Sequence, residues 1–510
     1  MAAPSLGGEP PSFWIDTSDA TAYPSLTGRV SVDVAVLGGG MTGVAVAAHL
    51  KRAGMTVALV EARRLCHGTS GHTTGKLSSL HGLVYDTLSS SFGEDGARAY
   101  GEANEAAIER VAALCEEYGI DCDFERVPNY TYTESEQEVS QIEAEVDAAK
   151  RVGLPATYTE ESDLPYPITS AVRFDGQARF HPRKWCLGLA KAVEGDGSHV
   201  FEETRAHAVD EGAPCRVMTD KGELEADRVV VATLLPFTDR GFFFARTHPE
   251  REHVLGVRID GPAPQGMYIT AGSPTRSIRS HPAPGGEVVL VSGESHKTGQ
   301  AQDYDLRYAR LERFARERLA ARSIDYRWSA QDFYPADQVP YIGRMRRGSD
   351  RLYAATGFKA WGMSHAVVAA MILEDQLQGR QNPWSELYNP NRLKPMASAT
   401  SFLKENANVA RRFFGDRLTK RRKLAAVPAG KGAVVSDGRR QVAAYRDAQG
   451  ELHTVSARCT HMGCIVSWND ADATWDCPCH GSRFGVEGEV IEGPAVKALE
   501  PVDLKPGGQG

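Results

Sequence analysis

The sequence predicts an α/β domain on a parallel sheet with an α+β subdomain folded into it, followed by a small all-β domain. Three observations carry this. Residues 32–61 alternate an apolar strand, a glycine turn, a helix and a second buried strand. The middle of the chain mixes helical and strand-like segments instead of repeating that unit. From about Ala425 short strands and glycine turns dominate, and four of the nine cysteines crowd into that stretch.

VDVAVLGGG is an apolar, β-rich run ending in glycines; MTGVAVAAHLKRAG has helical periodicity and a glycine stop; TVALVE is a second buried strand. Such a βαβ unit requires a parallel sheet covered by helices. Helices are expected around Gly96–Tyr118, Gln137–Val152 and Pro182–Glu194, with strands at Pro128–Thr133 and Val172–Phe174. Val200–Phe237 reads as strands with a hairpin at Asp220-Lys221-Gly222. Gly266–Ser292 is strand-rich, a charged helix follows near Tyr304–Ala321, and Leu352–Gln378 is strand, glycine loop and helix. Three regions result: 1–395, a connector 396–424 with a helix near Phe402–Phe414, and 425–510. The basic run Lys420–Lys423 reads as a solvated linker face.

The formal net charge of −8 argues against a nucleic-acid partner. No secretory signal opens the chain, and no apolar run approaches the ~20 residues of a membrane helix. A cytoplasmic protein without a transmembrane segment is expected. Cys66, Cys115, Cys122, Cys186 and Cys215 are scattered like free thiols, whereas the clustered C-terminal set points to metal.

Gly38-Gly39-Gly40-Met41-Thr42-Gly43 fits G-x-G-x-x-G, follows a strand, opens a helix and is trailed by Glu61 at the next strand end. Gly38 permits the tight turn, Gly40 lets the backbone approach a pyrophosphate, and Gly43 allows close helix–strand packing. The helix N-terminus, with Met41 and Thr42, favours the phosphates, and Glu61 accepts hydrogen bonds from ribose hydroxyls. The later segments ARRLCHGTSGHTTGKLSSLHG, Val229–Thr233 and TGFKAWGMSHA follow in an order that resembles the D-amino-acid oxidase/sarcosine oxidase superfamily of FAD enzymes, over roughly residues 12–395. The resemblance implies a Rossmann-type FAD-binding domain. It places Ala62, Arg63, His72, Thr73, Thr74, Gly75, Ala206 and Thr233 on the cofactor, Gly357, Gly362, Met363 and Ser364 along the flavin, and Gly343 near the pyrophosphate.

The run Gly68–Gly75 is similar to the loop that carries a covalently FAD-linked histidine in dimethylglycine and sarcosine dehydrogenases. Here Gly71 stands where those enzymes have tryptophan, and threonines replace alanines. His72 is therefore either a covalent attachment point or a polar contact to the cofactor.

Near the C-terminus, Cys459-Thr460-His461-Met462-Gly463-Cys464 and Cys477-Pro478-Cys479-His480-Gly481-Ser482 form a C-x-H-x-x-C … C-x-x-H pattern. It resembles the Rieske proteins. The resemblance implies a [2Fe–2S] cluster with Cys459 and Cys477 on one iron and His461 and His480 on the other. It further implies a disulfide between Cys464 and Cys479, a hydrogen bond from Ser482 to a cluster sulfur, and a covering loop at Gly493-Pro494-Ala495. Phe484 occupies a place where respiratory members often carry tyrosine. A zinc ribbon, the competing reading, leaves the extra cysteines unexplained.

The fused arrangement is similar to a bacterial group of FAD-dependent oxidoreductases with a C-terminal Rieske domain, sharing SFWIDT, GHTTGKLSSLHGLVY, GFKAWGMS and FLKENANVA. An NADH-driven reductase would need a second dinucleotide motif, which is missing. A ring-hydroxylating oxygenase would need iron-binding histidines after the Rieske segment; His248 and His253 precede it and read as surface residues. The resemblance instead implies oxidation of a C–N bond of a small amine or amino acid. Electrons would then pass from the flavin through the cluster to an external acceptor: a soluble carrier, a quinone or oxygen. Desaturation or alcohol oxidation, or redox sensing without turnover, are the alternatives. Tyr130, Tyr132, Lys359 and His81 are the catalytic candidates. The sequence identifies neither substrate, acceptor nor oligomeric state.

Overall fold

A computed structural model describes residues 11–392, 395–418, 427–437 and 440–503. The Lys420–Lys423 run, the glycine-rich tail, the first ten residues and the boundary at 424/425 lie outside the described residues.

The first sheet grows from the βαβ segment. The apolar run at Val32 extends backward into β1 (Gly28–Leu37), the helix is α1 (Met41–Arg52), and β2 (Val57–Val60) is buried throughout. β1 pairs in parallel with β2 and, on its other side, with β3 (Gly222–Val231). Parallel pairing continues from β2 to His199–Phe201 and from β3 to Leu352–Thr356. Where helices cover the sheet, at Val34–Leu37, Val57–Val60 and Val229–Val231, the strands are apolar without alternation. The Asp220–Gly222 hairpin joins Cys215–Thr219 to β3 as expected.

The second sheet has eight strands. A short helix, α2 (Phe243–Arg246), leads into β4 (Thr247–Ile259), which pairs antiparallel with β5 (Ala321–Pro335) along its whole length. Glu250 stands opposite Asp332 and Glu252 opposite Ala330. Side chains alternate across a strand, so Glu250 and Glu252 face one way while Arg251 and His253 face the other.

Two elements differ from expectation. The helix expected from Gly96 begins at Tyr85 and bends at Gly93, where φ is 77°. Its first turns bury only Tyr85 and Leu88 amid polar residues, and the start is fixed from outside, because the Glu145 carboxylate accepts the N–H groups of Val84, Tyr85 and Asp86 at 2.7, 2.8 and 3.0 Å. The connector helix, expected near Phe402–Phe414, is longer: α3 (Pro395–Leu418) packs on both halves. Val409 and Phe413 pack on the C-terminal core, Asn406 donates to the Ala245 carbonyl at 2.9 Å, and Glu405 pairs with Lys297.

The C-terminal part holds a three-stranded and a four-stranded antiparallel sheet around Trp475 and Phe484. Among the described residues no helix is long and apolar enough to cross a membrane.

Candidate functional site

The turn between β1 and α1 is built for close approach. Gly38 has φ of 105°, and a Cβ there would lie 2.6 Å from the Ala232 oxygen; a Cβ on Gly43 would lie 1.8 Å from the Gly38 oxygen. Only glycine allows the helix to start this near the strand ends. Gly40 caps α1 without a side chain, so the helix N-terminus opens into a cavity of about 250 Å³. Glu61 lies at its edge, accepting the N–H groups of Gly39 at 2.7 Å and Arg63 at 2.8 Å. Burial raises the pKa of its carboxyl.

The cavity brings together Gly38, Gly40, Met41, Thr42, Glu61, Ala62, Arg63, His72, Thr73, Thr74, Ala206, Thr233, Gly357, Gly362 and Met363 from the sequence-derived set. His72 faces it with Nδ1 on the Gly68 carbonyl at 3.0 Å. Gly43 sits behind the turn. Gly75 and Ser364 stand outside the wall: Gly75 packs on Arg279, and the Ser364 hydroxyl meets His81 Nε2 at 3.2 Å. Gly343 is misplaced by the sequence reading. It pairs with Ala354 at the sheet edge and faces Gln376 and Pro390, because its segment is tied down by the Arg392–Asp337 ion pair at 2.8 Å.

None of the four catalytic candidates lines the cavity. Tyr130 stacks on Tyr268 at 4.6 Å, and the Tyr132 hydroxyl meets that of Tyr166 at 2.7 Å. Burial pushes the Tyr132 phenol up to about 12. His81 is buried between the Tyr100 hydroxyl and the Ser78 carbonyl, both at 2.6 Å, and burial holds its pKa well below the usual value. Lys359 lies in the 357–361 turn with φ of 53°, its backbone N–H on the Phe333 carbonyl. The polar groups of Tyr132 and His81 are thus engaged within the core, and Lys359 stands between the cavity-lining Phe358 and Ala360. His253 is also no surface residue; it is buried against Tyr308 at 4.4 Å and His296 at 5.2 Å.

The residues with acidic or phenolic groups that line the cavity from the second sheet are Glu250, Glu252, Asp332 and Tyr334. The period-two spacing within HPEREHV and AQDFY was the available signal. Glu252 accepts from Ser292 at 3.1 Å, and Asp332 accepts the N–H groups of Phe333 at 2.8 Å and Ala360 at 2.6 Å. Burial raises the Asp332 carboxyl to about 6.

At the C-terminal end, Cys464 and Cys479 form a disulfide that ties the two cysteine–histidine loops together. Between the loops, the Cys459 and Cys477 thiols meet, and the Cys459 sulfur faces the backbone N–H groups of His461 and Met462 and the Ser482 hydroxyl. The His461 and His480 rings lie 5.0 Å apart, and Nδ1 of each is buried without a hydrogen-bond partner. Buried polar atoms are rarely left so. Two thiols and two orphaned imidazole nitrogens fit a mixed-ligand diiron cluster.

Residues 33–376 match the family model of FAD dependent oxidoreductases (DAO), and residues 419–503 that of the Rieske [2Fe-2S] domain. This chain belongs to the FAD-dependent oxidoreductase family. It is 35% identical over 500 residues to YhfW of Bacillus subtilis (strain 168), named as a Rieske 2Fe-2S iron-sulfur protein, covering 97% of this chain and 98% of that one. The gamma-glutamylputrescine oxidoreductase of Escherichia coli (strain K12) is 23% identical, over 70% of this chain and 86% of its own. Glycine oxidase from Geobacillus kaustophilus shares the fold with a TM-score of 0.61 at 19% identity, over 71% of this chain and 99% of that one. The flavin domain binds FAD, and the Rieske domain binds a [2Fe–2S] cluster.

The two domains meet over the flavin cavity itself. Ile491, Glu492, Gly493, Ala495 and Val496 of the Rieske domain line it. On the other side of this loop, Ala495 N–H donates to the Ser482 hydroxyl at 3.0 Å, so one short segment touches both cofactor sites. Gln331 lines the cavity and donates to the Gly481 carbonyl at 2.9 Å. A buried ion network holds the interface: Arg251 pairs with Glu492 at 2.9 Å and approaches Asp472 at 3.6 Å, which also pairs with Arg483 at 3.0 Å. Asp239 and Phe244 of the flavin domain reach the cluster histidines. An Asp239 oxygen lies 3.4 Å from His461 Nε2, and the Phe244 ring is 5.2 Å from His480 and 5.8 Å from His461.

Proposed function

We propose that this enzyme oxidises the C–N bond of an amine or amino acid at FAD and passes the electrons singly through the Rieske cluster to an external acceptor. The observation that carries the relay is the shared wall, in which the Rieske segment from Ile491 to Val496 lines the flavin cavity while Ala495 contacts the cluster loop. FAD supplies a two-electron acceptor for the substrate hydride, and the diiron cluster an outlet for one electron at a time.

The chain's own part is binding and orientation. Glu250, Glu252 and Asp332 present carboxylates to the cavity from one sheet face. Glu252 and Asp332 are held by hydrogen bonds rather than ion pairs. A substrate ammonium would give these carboxylates a cation, which buried acids otherwise lack. Asp332 also fixes the Ala360 N–H and so the turn that follows Gly357. The names of the E. coli and Geobacillus relatives, an oxidoreductase of gamma-glutamylputrescine and a glycine oxidase, support a nitrogen-bearing substrate.

Anaerobic titration with a panel of amines and amino acids, followed by absorbance and electron paramagnetic resonance, tests the reading. Flavin bleaching accompanied by a Rieske signal is expected. Bleaching without the iron signal overturns the relay, and no bleaching by any panel member overturns C–N oxidation.

A further inference from the structure

The cluster histidines lie beneath an exposed apolar patch that the proposed relay does not yet use. Met462, beside His461, is 46% exposed; Phe242, just before α2, is 64% exposed. Phe402 and Leu403 on α3 are exposed by 39% and 67%. Among the described residues these are four of the six exposed large hydrophobics. They belong to elements that converge on one place. The Phe242 ring is 6.1 Å from Phe244, which packs against both cluster histidines. Asn406 donates to both the Phe402 and the Ala245 carbonyls, which seats the first exposed turn of α3 on α2. Grouped exposed apolar side chains of this size mark interaction sites.

The patch suits a macromolecule and not a small acceptor. The groove beside Phe244, between α2, α3 and Cys479, holds about 10 Å³, room for no more than one water. A quinone ring cannot enter it. The local charge gives the partner's sign. The chain carries −8 overall, yet α3 (Pro395–Leu418) has four lysines and arginines against two acids. Of these, Lys404 and Arg411 are exposed on α3. Of the acids near the patch, Glu405 is paired with Lys297, while Asp239 beside His461 keeps an exposed carboxylate.

We propose that Phe242, Met462 and the outer face of α3 form the docking surface for an acidic one-electron carrier protein. This rests on the reading that electrons leave by the cluster. Each encounter moves one electron: the mixed-valence diiron centre returns to its fully oxidised state, and the carrier's metal is reduced by one. The apolar centre brings the carrier over Phe244, and the basic rim steers its approach.

The test uses the full-length holoenzyme, photochemically reduced so that no substrate is needed. It is mixed in a stopped-flow instrument with oxidised plastocyanin, an acidic carrier, or with a basic mitochondrial-type cytochrome c. The acidic carrier should be reduced by the faster second-order reaction, and its rate should fall about tenfold or more from low to high salt. Phe242→Ser with Leu403→Ser, and separately Lys404→Glu with Arg411→Glu, should each slow that reaction about tenfold while the Rieske signal stays unchanged. Preference for the basic carrier, or rates indifferent to salt and to both double variants, overturns the proposal. So does reoxidation that requires quinone-loaded anionic vesicles to which the protein binds, since the surface would then face a membrane. Because reduction is photochemical, failure of C–N oxidation or of flavin-to-cluster transfer leaves this result readable.

Discussion

Gln331 donates its side-chain amide to the carbonyl oxygen of Gly481 across 2.9 Å, joining the wall of the flavin cavity to the residue after cluster ligand His480. A Cβ at Gly481 would lie 2.7 Å from Pro249 Cβ and 3.0 Å from Gln331, at φ of 73°. Gly481→Ala should therefore lift the ligand loop from the flavin domain and cost about 1–2 kcal/mol in backbone strain alone. A shifted Rieske resonance spectrum and slower flavin-to-cluster transfer are expected. An unchanged spectrum and rate would mean the contact is incidental.

Arg251 is buried against Glu492 and Asp472. Arg251→Met leaves those carboxylates with Arg483 as their remaining cation in this network, a loss of about 3–5 kcal/mol for a broken buried pair. The expected readout is early unfolding or proteolytic release of the Rieske domain, seen as a split thermal transition. A single transition at the parent temperature would contradict it.

Asp239 and Phe484 both hold the cluster potential down, by different means. The Asp239 carboxylate beside His461 Nε2 makes the imidazole a stronger electron donor, so Asp239→Asn should raise the midpoint potential. Phe484 is buried without a hydroxyl, and Phe484→Tyr adds a donor near the cluster loops, which should raise it as well. Redox titration followed by electron paramagnetic resonance decides both; a lowered value in either variant refutes that assignment.

Asp332 gives a pH signature. Burial raises its carboxyl to about 6 in the folded chain, above the ~4 of an unfolded aspartate. Folding thus favours the protonated form: its stabilising effect is complete below about pH 4 and is lost as the pH rises through about 6. Asp332→Asn loses one acceptor at every pH but carries no such penalty. Its melting temperature relative to the parent should therefore climb between those two pH values, by the equivalent of about 2 kcal/mol. A difference that stays flat with pH would show that Asp332 is not buried as an acid.

The Cys464–Cys479 bridge closes a sequence separation of 15 residues, and a loop of that size is stabilised by about 3 kcal/mol through the unfolded state. Replacing both cysteines by serine should lower Rieske-domain stability by that order while leaving the four iron ligands in place. Chemical denaturation of the holoprotein measures it, and an unshifted midpoint would remove the bridge from the stability account.

What the sequence revealed follows from how locally each feature is encoded. The glycine turn before α1 and the two cysteine–histidine loops are specified by residues within a few positions of one another, so spacing alone located them. The cavity-facing carboxylates needed the β4–β5 register, which pairs Glu250 with Asp332 across more than eighty positions of chain. Tyr130, Tyr132 and His81 looked chemical because polar aromatic groups are conspicuous in a sequence, yet Tyr130 stacks on Tyr268, and the Tyr132 hydroxyl and His81 ring nitrogens meet Tyr166, Tyr100 and Ser78 within the core. Gly343 was displaced by a distant anchor, Arg392 on Asp337. The connector read as a spacer because its apolar residues, Val409 and Phe413, bury against a domain that lies beyond it in the chain.

The strand and loop from Ile491 to Val496 come after the flavin domain in chain order, and they form part of the roof over the nucleotide's seat. Before the Rieske domain has settled, that seat lacks its wall on this side; afterwards Ile491–Val496 line it. The wall that Ile491–Val496 supplies therefore couples the flavin's seat to the seating of the Rieske domain, so that loss of the nucleotide should loosen residues 419–503 and their loosening should widen the way back in.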